Sequence, residues 1–224
     1  MLDFSGVLAA WPVFLEGLAI TALLTALSCA LGTLLGIACA WCRVQAPRGA
    51  RMAVACYVEF FRNTPFIVQI FFIYFGLPAI GLRFASFPAA ILALTVNLGA
   101  YACEIIRAGI EATPRGQHEA AQCLGLGRWH TFTRVVLPPA LSRVWPALTS
   151  QLVIIMLATA VCSLISTAEL SYVTNRIAAQ TFRQFESYIV VTLLYLLLSI
   201  CFRRLLQWLG PRFLFGCAPV GAGR

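Results

Sequence analysis

Lysine is absent from this chain of 224 residues; all sixteen basic side chains are arginine. A phosphate-binding P-loop needs a lysine to reach the β- and γ-phosphates of a nucleotide, so the chain cannot hold one. Any ATP-driven work must come from another subunit. Acid is also scarce: there are eight carboxylates, and Asp3 is the only aspartate. Paired aspartates inside a membrane are therefore excluded. His118 and His130 are the only imidazoles and lie outside the apolar segments. A membrane-embedded enzyme built on a Ser–His pair or a His-rich metal site has no residues to work with, and no metal site is expected. Charged residues make up 11% of the chain and hydrophobic ones 61%, against about 25% charged in an average soluble domain. This is the composition of an integral membrane protein. A nucleic-acid partner would need a basic face on a soluble domain, and none is present.

Five stretches contain no charged residue or histidine: 17–42, 63–82, 84–103, 144–168 and 187–202. A hydrocarbon core of ~30 Å is crossed by about 20 helical residues. Four stretches reach that length. The fifth is extended by Leu205, Leu206, Trp208 and Leu209 past Arg203 and Arg204, whose side chains can snorkel to the interface. The expectation is an all-α, polytopic membrane protein forming one transmembrane domain over 1–224. Its five helices are expected at about 13–42, 57–80, 86–110, 146–168 and 187–209, with a cytoplasmic segment at 111–143. The start of the chain lacks a basic segment and its first apolar run is long, so that run reads as a retained anchor rather than a cleaved signal.

Arginine positions orient these helices. With the N-terminus outside and the C-terminus cytoplasmic, thirteen arginines lie inside and only Arg83, Arg176 and Arg183 outside, as the positive-inside rule favours. The net charge of +8 is thus chiefly a topology signal.

Within the apolar segments a few residues stand out. Gly32 and Gly36 either admit a close neighbour or give a flexible turn. Cys39 and Cys42 have the spacing of a redox or zinc half-site, but with no second pair among nine cysteines they read as small apolar residues. Glu59 and Arg62 are one turn apart and able to pair, and Pro65 is placed to kink the helix. Asn97, Tyr101 and Glu104 share one helix face. An amide and a carboxylate are costly in lipid, so this face belongs in a bundle interior or along an aqueous path; pairing of Glu104 with Arg107 is the other reading. Gln151, Thr159 and Ser163 in the fourth segment join Asn97 and Glu104 as candidates for lining a translocation path. After Ser166, Glu169–Leu170 opens an outside loop reaching Glu186. The fifth helix reads as lipid-facing, and the tail 211–224 as loosely ordered.

The segment 107–143 is the one sizeable polar island. Thr113 and Pro114 have the order of an N-cap and a first helical residue. Glu119-Ala120-Ala121 supplies helix formers of little bulk, which another protein surface can approach closely. Gly125 is suited to the left-handed residue that ends a helix. Arg128–Arg134 is expected to form a second short helix, stopped before Pro138-Pro139.

Glu119-Ala120-Ala121, three residues, Gly125, nine residues, then Val135, one residue, and Leu137-Pro138 resembles the signature loop of importer permeases of the ATP-binding cassette family, with Val135 in place of Ile. Glu104–Arg107 and Pro114-Arg115-Gly116-Gln117 are similar to further family motifs. Glu59–Pro65 and the aromatic run after it resemble the polar amino-acid branch. The resemblance covers about residues 14–210. It implies a type I importer permease fold in which Gly116, Glu119, Ala120, Ala121, Gly125, Val135, Leu137 and Pro138 form the ATPase-coupling loop. It also implies a second permease subunit, identical or not, two cytoplasmic ATPases that bind ATP and Mg, and an external solute-binding protein. No cofactor is expected on this chain itself. One departure is plain: where the family shows a Lys and, two residues on, Thr-Ser-Leu in the fourth helix, this chain reads Leu157-Ala158-Thr159-Ala160-Val161, and only the Thr survives. This suggests one of two unequal permeases, or a different solute. A stand-alone secondary carrier is the alternative, but such folds usually show internal repeats, and none is visible. An amphipathic helix lying on the membrane surface would not account for the full loop spacing.

Overall fold

The computed structural model describes residues 4–210 and Arg212, except for the side chains of Arg115 and His118. Asp3 and, Arg212 apart, the tail expected to be loosely ordered lie outside the described residues. All regular structure among the described residues is helical: α1 Ser5–Ala9, α2 Trp11–Gln45, α3 Arg48–Arg62, α4 Phe66–Phe71, α5 Ser86–Glu111, α6 Arg115–Cys123, α7 Arg128–His130, α8 Leu137–Ala158, α9 Leu170–Thr181 and α10 Gln184–Leu209. A π-helical turn, Phe72–Gly76, and a 3-10 turn, Leu77–Ile80, extend α4. A second π turn, Thr131–Val136, joins α7 to α8, and a 3-10 turn, Thr159–Ile165, extends α8.

Four helices are long and apolar enough to cross a membrane: α2, α5, Arg128–Ile165 and α10. A fifth crossing is broken. Where one helix was expected over 57–80, the chain bends by 109° between Arg48–Arg62 and Phe66–Ile80. Pro65 lacks the N–H that would continue α3, and the Thr64 hydroxyl folds back to the Phe60 carbonyl at 2.8 Å. The last apolar crossing before α9 also starts earlier than 146. Pro138 and Pro139 do not stop it, because they lie in the first turn of α8 behind the π turn, where a missing N–H is tolerated. The expected outside loop is largely helical: α9 buries Leu170, Val173, Thr174, Ile177 and Ala178.

The core is organised around α5, which crosses α2 at small residues. A Cβ on Gly36 would lie 2.5 Å from the Ala102 Cβ, and one on Gly32 2.7 Å from Leu98. This decides between the two readings of Gly32 and Gly36: they admit a neighbouring helix, as small residues do in membrane bundles. The α5–α8 crossing is equally close, since a Cβ on Gly109 would meet the Ala140 carbonyl oxygen at 2.8 Å. The outer face of α10 leaves Leu193, Leu196, Leu197, Ile200, Leu205 and Trp208 exposed, a surface suited to lipid or to another apolar helix.

Candidate coupling and translocation sites

The α5–α8 connection is built from α6 outward. Thr113 does not cap this helix: its buried hydroxyl donates to the Gly109 carbonyl one turn back, at 3.3 Å, and Pro114 takes the cap position with no side-chain bond. The other end is a complete Schellman closure. Gly125 adopts φ +66°. Its N–H donates to the Gln122 carbonyl at 2.9 Å, and the Leu126 N–H donates to the Ala121 carbonyl at 3.1 Å. Nothing lies within 4 Å of where a Gly125 Cβ would be, so glycine is required here by backbone conformation and not by space.

The faces of α6 are sharply divided. Ala121 is buried, on the side that packs against the Thr131–Val136 turn, while Glu119 and Ala120 are exposed. Gly116 is also exposed; Val135, Leu137 and Pro138 are half-buried where the chain returns into α8. Leu124 and Trp129 add exposed apolar surface to the same loop. The loop is braced from α2: Trp41 meets Trp129 edge-on with ring centroids 5.7 Å apart and Phe132 at 6.4 Å. A small exposed helix, a carboxylate with no ion pair among the described residues and exposed apolar side chains on a braced support form a surface suited to a protein partner.

The polar face of α5 has a definite task. The buried Asn97 amide donates to the Gln69 side-chain oxygen at 2.9 Å. The Gln69 amide in turn donates to the Phe61 carbonyl at 2.9 Å and to the Thr64 hydroxyl at 2.8 Å. The Tyr101 hydroxyl donates to the Arg62 carbonyl at 3.4 Å. Asn97 and Tyr101 therefore hold the α3–α4 bend. Glu104 takes the pairing geometry: its carboxylate accepts from Arg107 Nη2 at 2.7 Å, with Arg43 at 3.7 Å and Arg62 at 4.0 Å. Glu59 does not pair with Arg62; it accepts from the Asn63 amide at 2.9 Å, and the Arg62 guanidinium lies over the Tyr101 ring.

The remaining path candidates lie along α8 and its 3-10 extension. Thr159 is buried and bonds the Met156 carbonyl, Ser163 is half-buried and bonds the Ala160 carbonyl, and Gln151 is half-buried. Two residues that carry polar structure were not singled out from sequence. Gln69 had a readable signal, being the one amide in an aromatic run. Glu169 is fully buried; it accepts from the Tyr195 hydroxyl at 2.6 Å and from the Tyr172 N–H at 2.8 Å. Burial pushes its carboxyl above the usual carboxylate range, against the pull of these hydrogen bonds.

A bundle of apolar crossings with one braced polar loop is the architecture of an integral membrane protein. Residues 32–215 match the family described as "Binding-protein-dependent transport system inner membrane component". The chain belongs to that family and is a permease subunit of a binding-protein-dependent importer. It is 35% identical to the arginine transport system permease protein ArtQ of Bacillus subtilis over 89% of this chain and 91% of the relative. It is 34% identical to the glutamine transport system permease protein GlnP of Escherichia coli over 94% and 97%. A crystal structure of an amino acid ABC transporter with histidines superposes with a TM-score of 0.84 at 33% identity, covering 95% of this chain and all of the other. A MetNI methionine ABC transporter shares the fold at a TM-score of 0.73 and 20% identity.

Proposed function

We propose that this permease carries a polar amino acid or a related solute inward, with its N-terminus outside and its C-terminus in the cytoplasm of a bacterial inner membrane. The arginine distribution supports the orientation. Relatives named for arginine, glutamine and L-cystine transport support the solute class. A second permease packs against this one, and the solute passes between them. Two cytoplasmic ATPases supply the energy, binding ATP and Mg themselves, and an external binding protein delivers the solute.

The observation that carries this reading is α6 with its Schellman end. Its exposed Glu119–Ala120 face offers a carboxylate for charge-assisted hydrogen bonds in an ATPase cleft. Closure of the ATPases then moves α5 and α8 as near-rigid bodies. Half-buried Gln151 and Ser163 line the path, while Asn97, Glu104 and Thr159 shape the helices beside it.

Cysteine placed at position 119 tests the linkage: it should crosslink to the ATPase in intact cells, and labelling from the outside should fail. Uptake of a panel of labelled amino acids and opines by the reconstituted complex identifies the solute. Uptake by the isolated chain without an ATPase would instead establish a secondary carrier.

A further inference from the structure

The end of α2, the N-terminal half of α3 and the end of α5 enclose an open groove of about 610 Å³, lined by Arg43, Arg48, Arg51, Met52, Ala55, Arg107 and Glu111. Four guanidinium groups thus face one lining carboxylate. They are not equivalent. Arg107 is tied to Glu104 and Glu111, and Arg43 lies 3.7 Å from Glu104. These two are held by carboxylates. Arg48 and Arg51 are exposed, and neither pairs with a carboxylate among the described residues. They lie one turn apart on α3, whose first turn has no side-chain cap. Beside them, Met52 is 68% exposed.

We propose that this groove binds the phosphate of an anionic phospholipid, with the lipid's apolar portion lying along Met52 and Ala55. A guanidinium is a planar fork that matches two phosphate oxygens. The unpaired Arg48 and Arg51 supply that recognition, and the Glu104–Glu111 framework keeps Arg107 oriented. The groove lies where crossing helices end, the level at which lipid phosphates sit, and basic pockets between helices on a cytoplasmic face are suited to such headgroups. A soluble phosphate would satisfy the arginines but leave Met52 without a role. The site rests on the cytoplasmic orientation proposed above but not on the coupling loop.

The test uses the complete permease–ATPase complex, delipidated and titrated with phosphatidylglycerol or phosphatidylcholine while bound lipid is counted by native mass spectrometry. Phosphatidylglycerol should bind preferentially, and Arg48→Gln/Arg51→Gln should weaken it roughly thirtyfold. Arg203→Gln/Arg204→Gln, at the end of α10, should leave it unchanged. Met52→Gln should also weaken phosphatidylglycerol binding, because the lipid's apolar portion loses its contact. Equal binding of the two lipids, or an unchanged affinity in the Arg48/Arg51 variant, overturns the proposal. Displacement of the lipid by millimolar inorganic phosphate identifies a soluble anion and overturns the lipid assignment. Loss of ATPase recovery in the Arg48/Arg51 variant marks the groove as a protein contact and overturns it as well. An ATPase retained together with lost lipid preference supports it, whatever becomes of the coupling assignment.

Discussion

The side-chain amide of Asn97 on α5 donates to the side-chain oxygen of Gln69 on α4 at 2.9 Å, both residues being buried. Through the second half of the Gln69 amide, this bond reaches the Phe61 and Thr64 carbonyls, so one polar pair fixes the direction of the chain across the 109° bend. Replacing Asn97 by Ala leaves the buried Gln69 oxygen unsatisfied, which costs about 1–3 kcal/mol. Asn97→Ala and Gln69→Ala should each lower the melting temperature of the purified complex. Their double variant should lose less than the sum of the two, because the residues act as one unit; strict additivity would argue against the lock.

Glu104 is the shared counter-charge of Arg43, Arg62 and Arg107. Glu104→Gln leaves three guanidinium groups close together and removes a charge-assisted bond worth about 1.5–3 kcal/mol. At ~2–4 °C per kcal/mol for a chain of this size, thermal unfolding should move down by several degrees. Added salt should narrow the difference by screening the repulsion among the arginines.

Gly125 is required by its left-handed backbone rather than by crowding. A Cβ in that conformation costs roughly 1–2 kcal/mol, and a β-branched side chain more. Gly125→Val should therefore redirect the end of α6 and abolish ATPase recovery, with insertion and permease pairing retained. Glu119→Ala, which keeps the helix, should reduce uptake more than it reduces ATPase pull-down. Normal complex recovery with Gly125→Val would count against the coupling assignment.

The raised pKa of Glu169 makes a signed prediction about pH. The folded protein holds this proton at pH values where the unfolded chain, with an ordinary carboxylate, has released it. That contribution is complete below the ordinary carboxylate pKa and is lost as pH rises through the raised value. Stability of the solubilised protein should fall across that window, and Glu169→Gln should flatten the fall. An equal slope in wild type and variant would show that the carboxyl is not held this way.

Much of the architecture was legible in local sequence. The charge-free runs mark the middles of α2, α5 and α10, because crossing hydrocarbon demands an apolar stretch of set length. Gly125 was readable as a helix end because few other residues adopt its conformation cheaply. Thr113 was misread: it has the side chain of a cap, but its hydroxyl turns back to Gly109 inside the bundle. Pro138 and Pro139 were misread as a stop because their effect depends on the turn that precedes them. α9 carried a readable pattern at Leu170, Val173, Thr174 and Ile177, but it is too short to register as a crossing.

Sequence by itself determined that this chain lives in a membrane, that it lacks the lysine a P-loop uses, and that one polar loop interrupts its apolar segments. These follow from composition and short-range spacing, which act before any long-range contact forms. Only the tertiary structure decided that Gly36 seats Ala102, that Gln69 and Asn97 set a bend, and that Glu104 draws Arg43 and Arg62 from two other helices. Each of those depends on side chains distant in the chain reaching hydrogen-bonding or van der Waals distance, which packing alone brings about.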